Sequence, residues 1–427
     1  IEGKGVLPVS AHPDLPVGTS VETPKIGRLA YGLPESVGLS SDKLKTIDSI
    51  AQEAIDQKMT PGMQILVAKK GKIVYRKNFG TLDYNPAHKV NDHTIYDLAS
   101  LTKILATLPE LMRLYTKGDF KPNDTFEDLL PRLKDTNKGG MTMKEVLSHY
   151  AQFQSWIPFF NQTLDKNKKP LPEFYSTTAS DSFPTQVAKD LYLREGFTDS
   201  IYKRIDDSNL IKDKKYLYSD LPYYYFKLFI EKKTKKPLQE AVQKHFYREL
   251  GAYQLTYLPL ERFPITNIAP AEDEKTFRGQ ELRGYVHDQG AALLGGVGGH
   301  AGLFGTADDV AKMMQMYLQK GYYGGTWYLQ PQAIQLFNTC NYCTEGNRRG
   351  LGFDKPQLGK AGPTCGCVPM ESFGHTGFTG TFAWADPINE IVVVFLSNRT
   401  YPSAENKLLI NKLIRQRVQE VVYKAGL

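Results

Sequence analysis

Ser100 and Lys103 stand three positions apart in the stretch Asp97-Leu98-Ala99-Ser100-Leu101-Thr102-Lys103. On a helix that spacing puts both side chains on one face, one turn apart. A serine hydroxyl is a poor nucleophile until a positioned group takes its proton, and a buried lysine at this distance can take or stabilise it. A helix opening here also leaves free amides at its N-terminus, one of which can face a developing oxyanion. Four cysteines, Cys340, Cys343, Cys365 and Cys367, form a second set. C-x-x-C followed by C-x-C can hold zinc as four thiolates, can close into two disulfides that staple a loop, or can remain free thiols. The glycine-rich run Leu293 to Leu303 reads as a tight loop. No Gly-Lys-Ser/Thr follows, which argues against a phosphate cradle, and His300 within it reads as bonded to backbone rather than catalytic.

The elements that must position these residues are partly legible. Leu101, Ile104, Leu105, Leu108, Leu111, Met112 and Tyr115 recur at helical spacing, with Gly118 as a stop and Pro109 expected to kink the helix. Ser40-Ser41-Asp42 caps an earlier amphipathic helix, and Gln64–Ala68 with Ile73–Tyr75 reads as a hairpin turning at Lys70-Gly71-Lys72. Thr142 opens a short helix towards His149, 160–215 reads as polar and irregular, and Leu217 to Phe229 is unusually aromatic. Thr306 caps a helix through Tyr317. Thr381–Trp384 and Ile391–Leu396 form a second hairpin, and a last amphipathic helix is expected from Ala404 to Val422. Strands at both ends with helices between them imply one sheet assembled from both ends of the chain.

The chain has 427 residues, 41% hydrophobic and 23% charged, with a net charge of +7, an ordinary globular composition with ample core. The basic residues are scattered, and runs such as Glu231 to Lys236 read as solvated helix ends, so nucleic-acid binding is not expected. No apolar run reaches the ~18 residues of a membrane helix. Without an initiator Met or a signal peptide, the chain reads as processed or as a fragment.

Three pieces fall in order: Ser100-Leu101-Thr102-Lys103, Tyr218-Ser219-Asp220 and His375-Thr376-Gly377. With Gly32-Leu33-Pro34, Thr60-Pro61-Gly62, Met141 to His149 and Gly377 to Thr381, the sequence resembles the serine β-lactamase and penicillin-binding-protein superfamily, in its class C-like branch of D-peptidases and esterases. The resemblance implies an α/β (α+β) fold over 31–427, an antiparallel sheet from 42–95 and 300–427 flanked by helices, and a helical subdomain over 96–299. It makes Ser100 the acylated nucleophile, Lys103 its activator, and Tyr218 the partner base with a phenol drawn down by nearby cations. Ser100 and Phe378 would supply oxyanion amides, while His375, Thr376 and Gly377 face the substrate. Two departures stand out. His375 replaces the usual Lys, so the fixed cation that attracts a substrate carboxylate becomes a group only partly charged at neutral pH. Asp220 replaces the usual Asn, which would support Lys103 or select a cationic substrate group. The expected function is acyl transfer without a cofactor, on peptidoglycan-derived D-amino-acid peptides. A small-molecule esterase and a non-catalytic muropeptide-binding module are the alternatives. Residues 1–30 read as an arm, and Gly5 to Ser10 resembles the closing segment of a family 3 glycoside hydrolase. That resemblance implies a fusion partner and a periplasmic or cell-envelope location, which favours disulfides.

Overall fold

The computed structural model describes residues 4–22 and 26–426, and what was expected of arm residues 1–3 and 23–25 lies outside them. Six strands form the central sheet, in the order Phe373–Thr376, Phe382–Asp386, Ile391–Ser397, Gly62–Lys69, Lys72–Gly80 and Ala30–Tyr31. Every pairing is antiparallel except the last, where Ala30–Tyr31 lies parallel to its neighbour. The hairpin turn between the second and third chain segments uses Lys70 at φ 51° and Gly71 at φ 74°, the left-handed pair that matches strand twist.

Strands 62–69 and 391–397 are buried on both faces, which is why they read as continuous apolar runs rather than alternating ones. Leu66, Ala68, Val392, Val394 and Leu396 join the larger core, with the helix Ala307–Leu318 and the helical region beyond it. Ile65, Val67, Val393 and Phe395 join a smaller core under the helices Thr46–Asp56 and Ile414–Lys424. The result is three layers, with helices on both faces of the sheet.

Several expectations need correction. The helix around Pro109 is not regular throughout: residues 103–107 form a wider, π-type turn that runs directly into the helix Leu108–Thr116, with Pro109 in the first turn after it. The stretch 160–215 holds a three-stranded sheet of Tyr175–Ser176, Thr185–Ala188 and Leu191–Leu193, followed by the helix Phe197–Asp206. The arm is not featureless, because Lys4–Val6 pairs with Ser20–Glu22. The terminal helix is shorter than expected and is interrupted at Leu413, φ 52°. The cysteines pair locally, Cys340 with Cys343 and Cys365 with Cys367, so each bridge closes a tight turn rather than stapling a long loop. With both pairs closed as disulfides, none of the four sulfurs is left as a thiolate for zinc.

Candidate active site

The chain enters the site through a tight corner. Asp97 is buried and its carboxylate accepts from the Ala99 amide at 2.8 Å and the His287 amide at 2.7 Å. Those bonds hold Ala99 at φ 46°, a left-handed conformation unusual for a residue with a Cβ, directly before Ser100. Burial pushes the Asp97 carboxyl up, against the two amides. The helix after the corner then brings Lys103 under Ser100.

Ser100 Oγ lies 2.9 Å from Lys103 Nζ and 2.9 Å from Tyr218 Oη, whose O–H donates to it. Lys103 is fully buried, and its ammonium also donates to the His300 carbonyl at 3.0 Å and pairs with Asp220 Oδ1 at 2.6 Å. It sits 5.1 Å from the centre of the Tyr218 ring and 5.3 Å from that of Tyr223. Asp220 therefore acts as the counter-ion of Lys103. Tyr218 does not behave as expected. Loss of hydration, then the Asp220 charge, push its phenol well above the ordinary value, and Arg349 and Ser100 offset this only in part. At rest Tyr218 is protonated and a donor.

The edge strand Phe373–Thr376 runs into a turn stitched to the nucleophile corner. Thr379 Oγ1 donates to the Asp97 carbonyl at 2.8 Å, and Thr381 Oγ1 to the Leu98 carbonyl at 3.0 Å. Gly377 is required there, since a Cβ would lie 2.0 Å from Thr381 Oγ1 and 2.8 Å from the Leu98 oxygen. Neither the Ser100 nor the Phe378 amide donates to any described residue. Two free N–H groups on one stitched unit, beside a hydroxyl held by an amine and a phenol, can stabilise a tetrahedral oxyanion.

His375, expected to face the substrate with a partial charge, is buried at the strand end. It is 2% exposed, its Nδ1–H donates to the Thr376 carbonyl at 2.7 Å, and its Nε2 accepts from Arg349 Nη1 at 3.1 Å. Burial, then the charges of Arg349 and Lys103, hold it well below the usual histidine range, so it is neutral rather than partly charged. Thr376 remains half-buried at the strand end. A fixed cation does stand near this motif: Arg349, buried beside His375, lies 5.1 Å from the centre of the Tyr218 ring and shares Asp354 with Arg348. Sequence reasoning missed Arg349, although the doubled Arg348-Arg349 before Gly350-Leu351-Gly352 is a signal. It also missed His149, whose ring lies 4.7 Å from that of Tyr218 and whose Nδ1 accepts the Ser219 amide. The His300 ring bonds not to backbone but to Asp288 Oδ1, at 2.8 Å, and stacks on Tyr224.

Comparison with known proteins agrees with this geometry. The β-lactamase family profile matches residues 47–415. A relative from Escherichia coli K12, named "Putative D-alanyl-D-alanine carboxypeptidase", is 30% identical over 416 residues, covering 91% of this chain and 89% of its own. One of the same name from Salmonella enteritidis is 29% identical, covering 88% of each chain. Among solved structures, a penicillin-binding-protein homologue from Caulobacter crescentus superposes with a TM-score of 0.64 at 16% identity, over 91% of this chain and 99% of that one. EstCE1, a hydrolase with promiscuous acyltransferase activity, gives 0.62 at 19% identity, over 90% and 99%. The chain belongs to the β-lactamase family and is a serine hydrolase with that family's fold.

Proposed function

We propose that this β-lactamase-family hydrolase cleaves amides of D-amino acids, of the D-alanyl peptide class, through an ester on Ser100. The observation that carries the reading is Ser100 Oγ held at 2.9 Å by both Lys103 and Tyr218. In the reacting form Lys103 is a neutral amine. As Oγ attacks the carbonyl carbon Lys103 takes its proton, and the oxyanion forms against the Ser100 and Phe378 amides. Tyr218, protonated at rest, passes its own proton to the departing amine and regains one from Lys103. Water then attacks the ester and the same groups work in reverse. Arg349, held beside His375, supplies the positive charge for a substrate carboxylate. The family's carboxypeptidase-named relatives support this class, which fits a periplasmic or envelope location and a fused cell-wall-directed module.

A small-ester hydrolase is the second reading, favoured by a neutral His375 where a lysine would bind carboxylates more strongly. The test is intact mass after exposure to a fluorophosphonate, followed by assays on D-Ala-D-Ala peptides and p-nitrophenyl esters. A single adduct is expected, absent in Ser100→Ala, with peptide turnover in that variant reduced roughly 10⁴-fold or more. No adduct would leave a binding module. Turnover of esters alone would select the second reading.

A further inference from the structure

Next to Lys103 the cleft continues into a small cavity lined by Trp156, Phe160, Asp220, Tyr224, Asp288 and His300. Each carboxylate commits one oxygen to the protein. Asp220 Oδ1 pairs with Lys103 at 2.6 Å, while Asp288 Oδ1 accepts from the Ala291 amide at 2.7 Å and meets His300 Nε2 at 2.8 Å. Neither Oδ2 bonds to any described residue, and the two side chains stay 25% and 34% exposed. Two anionic oxygens are thus left open where the cavity is lined. His300 adds an independent observation. It is 1% exposed, and while its Nε2 meets Asp288 its Nδ1 has no partner among the described residues. The remaining wall is aromatic, and Trp156 is 56% exposed at the rim despite its size. Burial would raise the Asp288 carboxyl, yet His300, the Ala291 amide and Lys103 hold it well below the usual carboxylate range. The pocket thus gathers two carboxylates, Asp220 paired with Lys103 and Asp288 with His300, each with its second oxygen open. Open carboxylate oxygens beside an indole face complement one chemical group, a protonated amine.

We propose that this cavity is an ammonium subsite, and that the preferred substrates carry a protonated amine that enters it while their carbonyl lies at Ser100. The proposal rests on the hydrolase reading above and narrows its substrate class. It explains why an aspartate follows Tyr218-Ser219 where an amide would serve as a neutral donor. Asp220 both pairs with Lys103 and extends negative charge into the subsite.

The test compares p-nitroanilides of D-alanine and of ω-aminoacyl-D-alanine, of increasing length, with their N-acetylated counterparts. The ratio of kcat/KM within each pair is read in the wild type, Asp288→Asn and Trp156→Leu. The wild type should favour at least one free amine roughly tenfold or more, mainly through KM. The preference should vanish in Asp288→Asn, shrink several-fold in Trp156→Leu, and fade as pH passes the amine's own pKa. No preference in any wild-type pair, or one that survives both substitutions, would overturn the subsite. Should Asp288→Asn fold poorly, Trp156→Leu at its exposed position decides alone. Turnover without amine preference defeats this inference and leaves the hydrolase standing. Absence of both turnover and Ser100 acylation defeats the hydrolase reading and the subsite with it.

Discussion

The two ends of the cleft each hold a histidine, and the two are set in opposite company. At one end His375 accepts from Arg349, with Arg348 and Asp354 behind it. At the other, His300 bonds to Asp288 beside Asp220. Two guanidiniums share one carboxylate at the first end, while at the second Asp220 pairs with Lys103 and Asp288 with His300. Ser100, Lys103 and Tyr218 lie between them. On the proposed reading, a cleft polarised in this way would discriminate by the charges at the ends of a substrate, while the chemistry at its centre would be indifferent to them.

Removing the positive end is the most direct way to break that contrast. Arg349→Met should raise KM for carboxylate-ended peptides by about tenfold to a hundredfold, the range of a charge-assisted hydrogen bond, and should leave neutral esters nearly unchanged. Arg348 remains 2.9 Å from Asp354, so the carboxylate keeps a partner and the variant should fold. If neutral esters lose as much, Arg349 supports His375 and Tyr218 without meeting substrate.

A pH dependence of stability sharpens the comparison. Burial, then the charges of Arg349 and Lys103, hold both His149 and His375 well below the ordinary histidine range. As pH falls through about 6.5, the unfolded chain gains protons that the folded protein refuses, so stability is full above that value and is lost below it. The slope should reach about 1.4 kcal/mol per pH unit for each imidazole. Urea unfolding between about pH 7.5 and 5 should show it, and His375→Asn should remove one histidine's share. A slope unchanged by the substitution would mean that His375 accepts a proton in the fold.

The smallest effect should come from the bridges. Cys340–Cys343 and Cys365–Cys367 span three and two positions, so each restricts little of the unfolded chain, about 2 kcal/mol or less on a loop-closure basis. Cys340→Ser with Cys343→Ser should lower Tm by only a few degrees. A large loss of turnover instead would tie the bridge to Arg349, a few residues downstream.

Much of the centre was legible, because Ser100 and Lys103 are neighbours on one turn and local spacing fixes their approach. The two-sided burial of 391–397 was likewise written in its apolar run. The small sheet within 160–215 was not, since two- to four-residue strands carry too few alternations to stand out from loop. The π-type turn at 103–107 was not foreseen either, because its spacing differs from a regular helix by about one residue per turn.

By itself the sequence singled out Ser100, Lys103 and the order of the three motifs, since these depend on residue types and short spacings. Only the tertiary structure decided their electrostatics. Tyr218 is raised rather than lowered, His375 is neutral, and Arg349 is the cation beside it, because desolvation and through-space charge depend on neighbours far apart in the chain. The acidic pocket arises in the same way, from residues 156, 220, 288 and 300, which only the fold brings together.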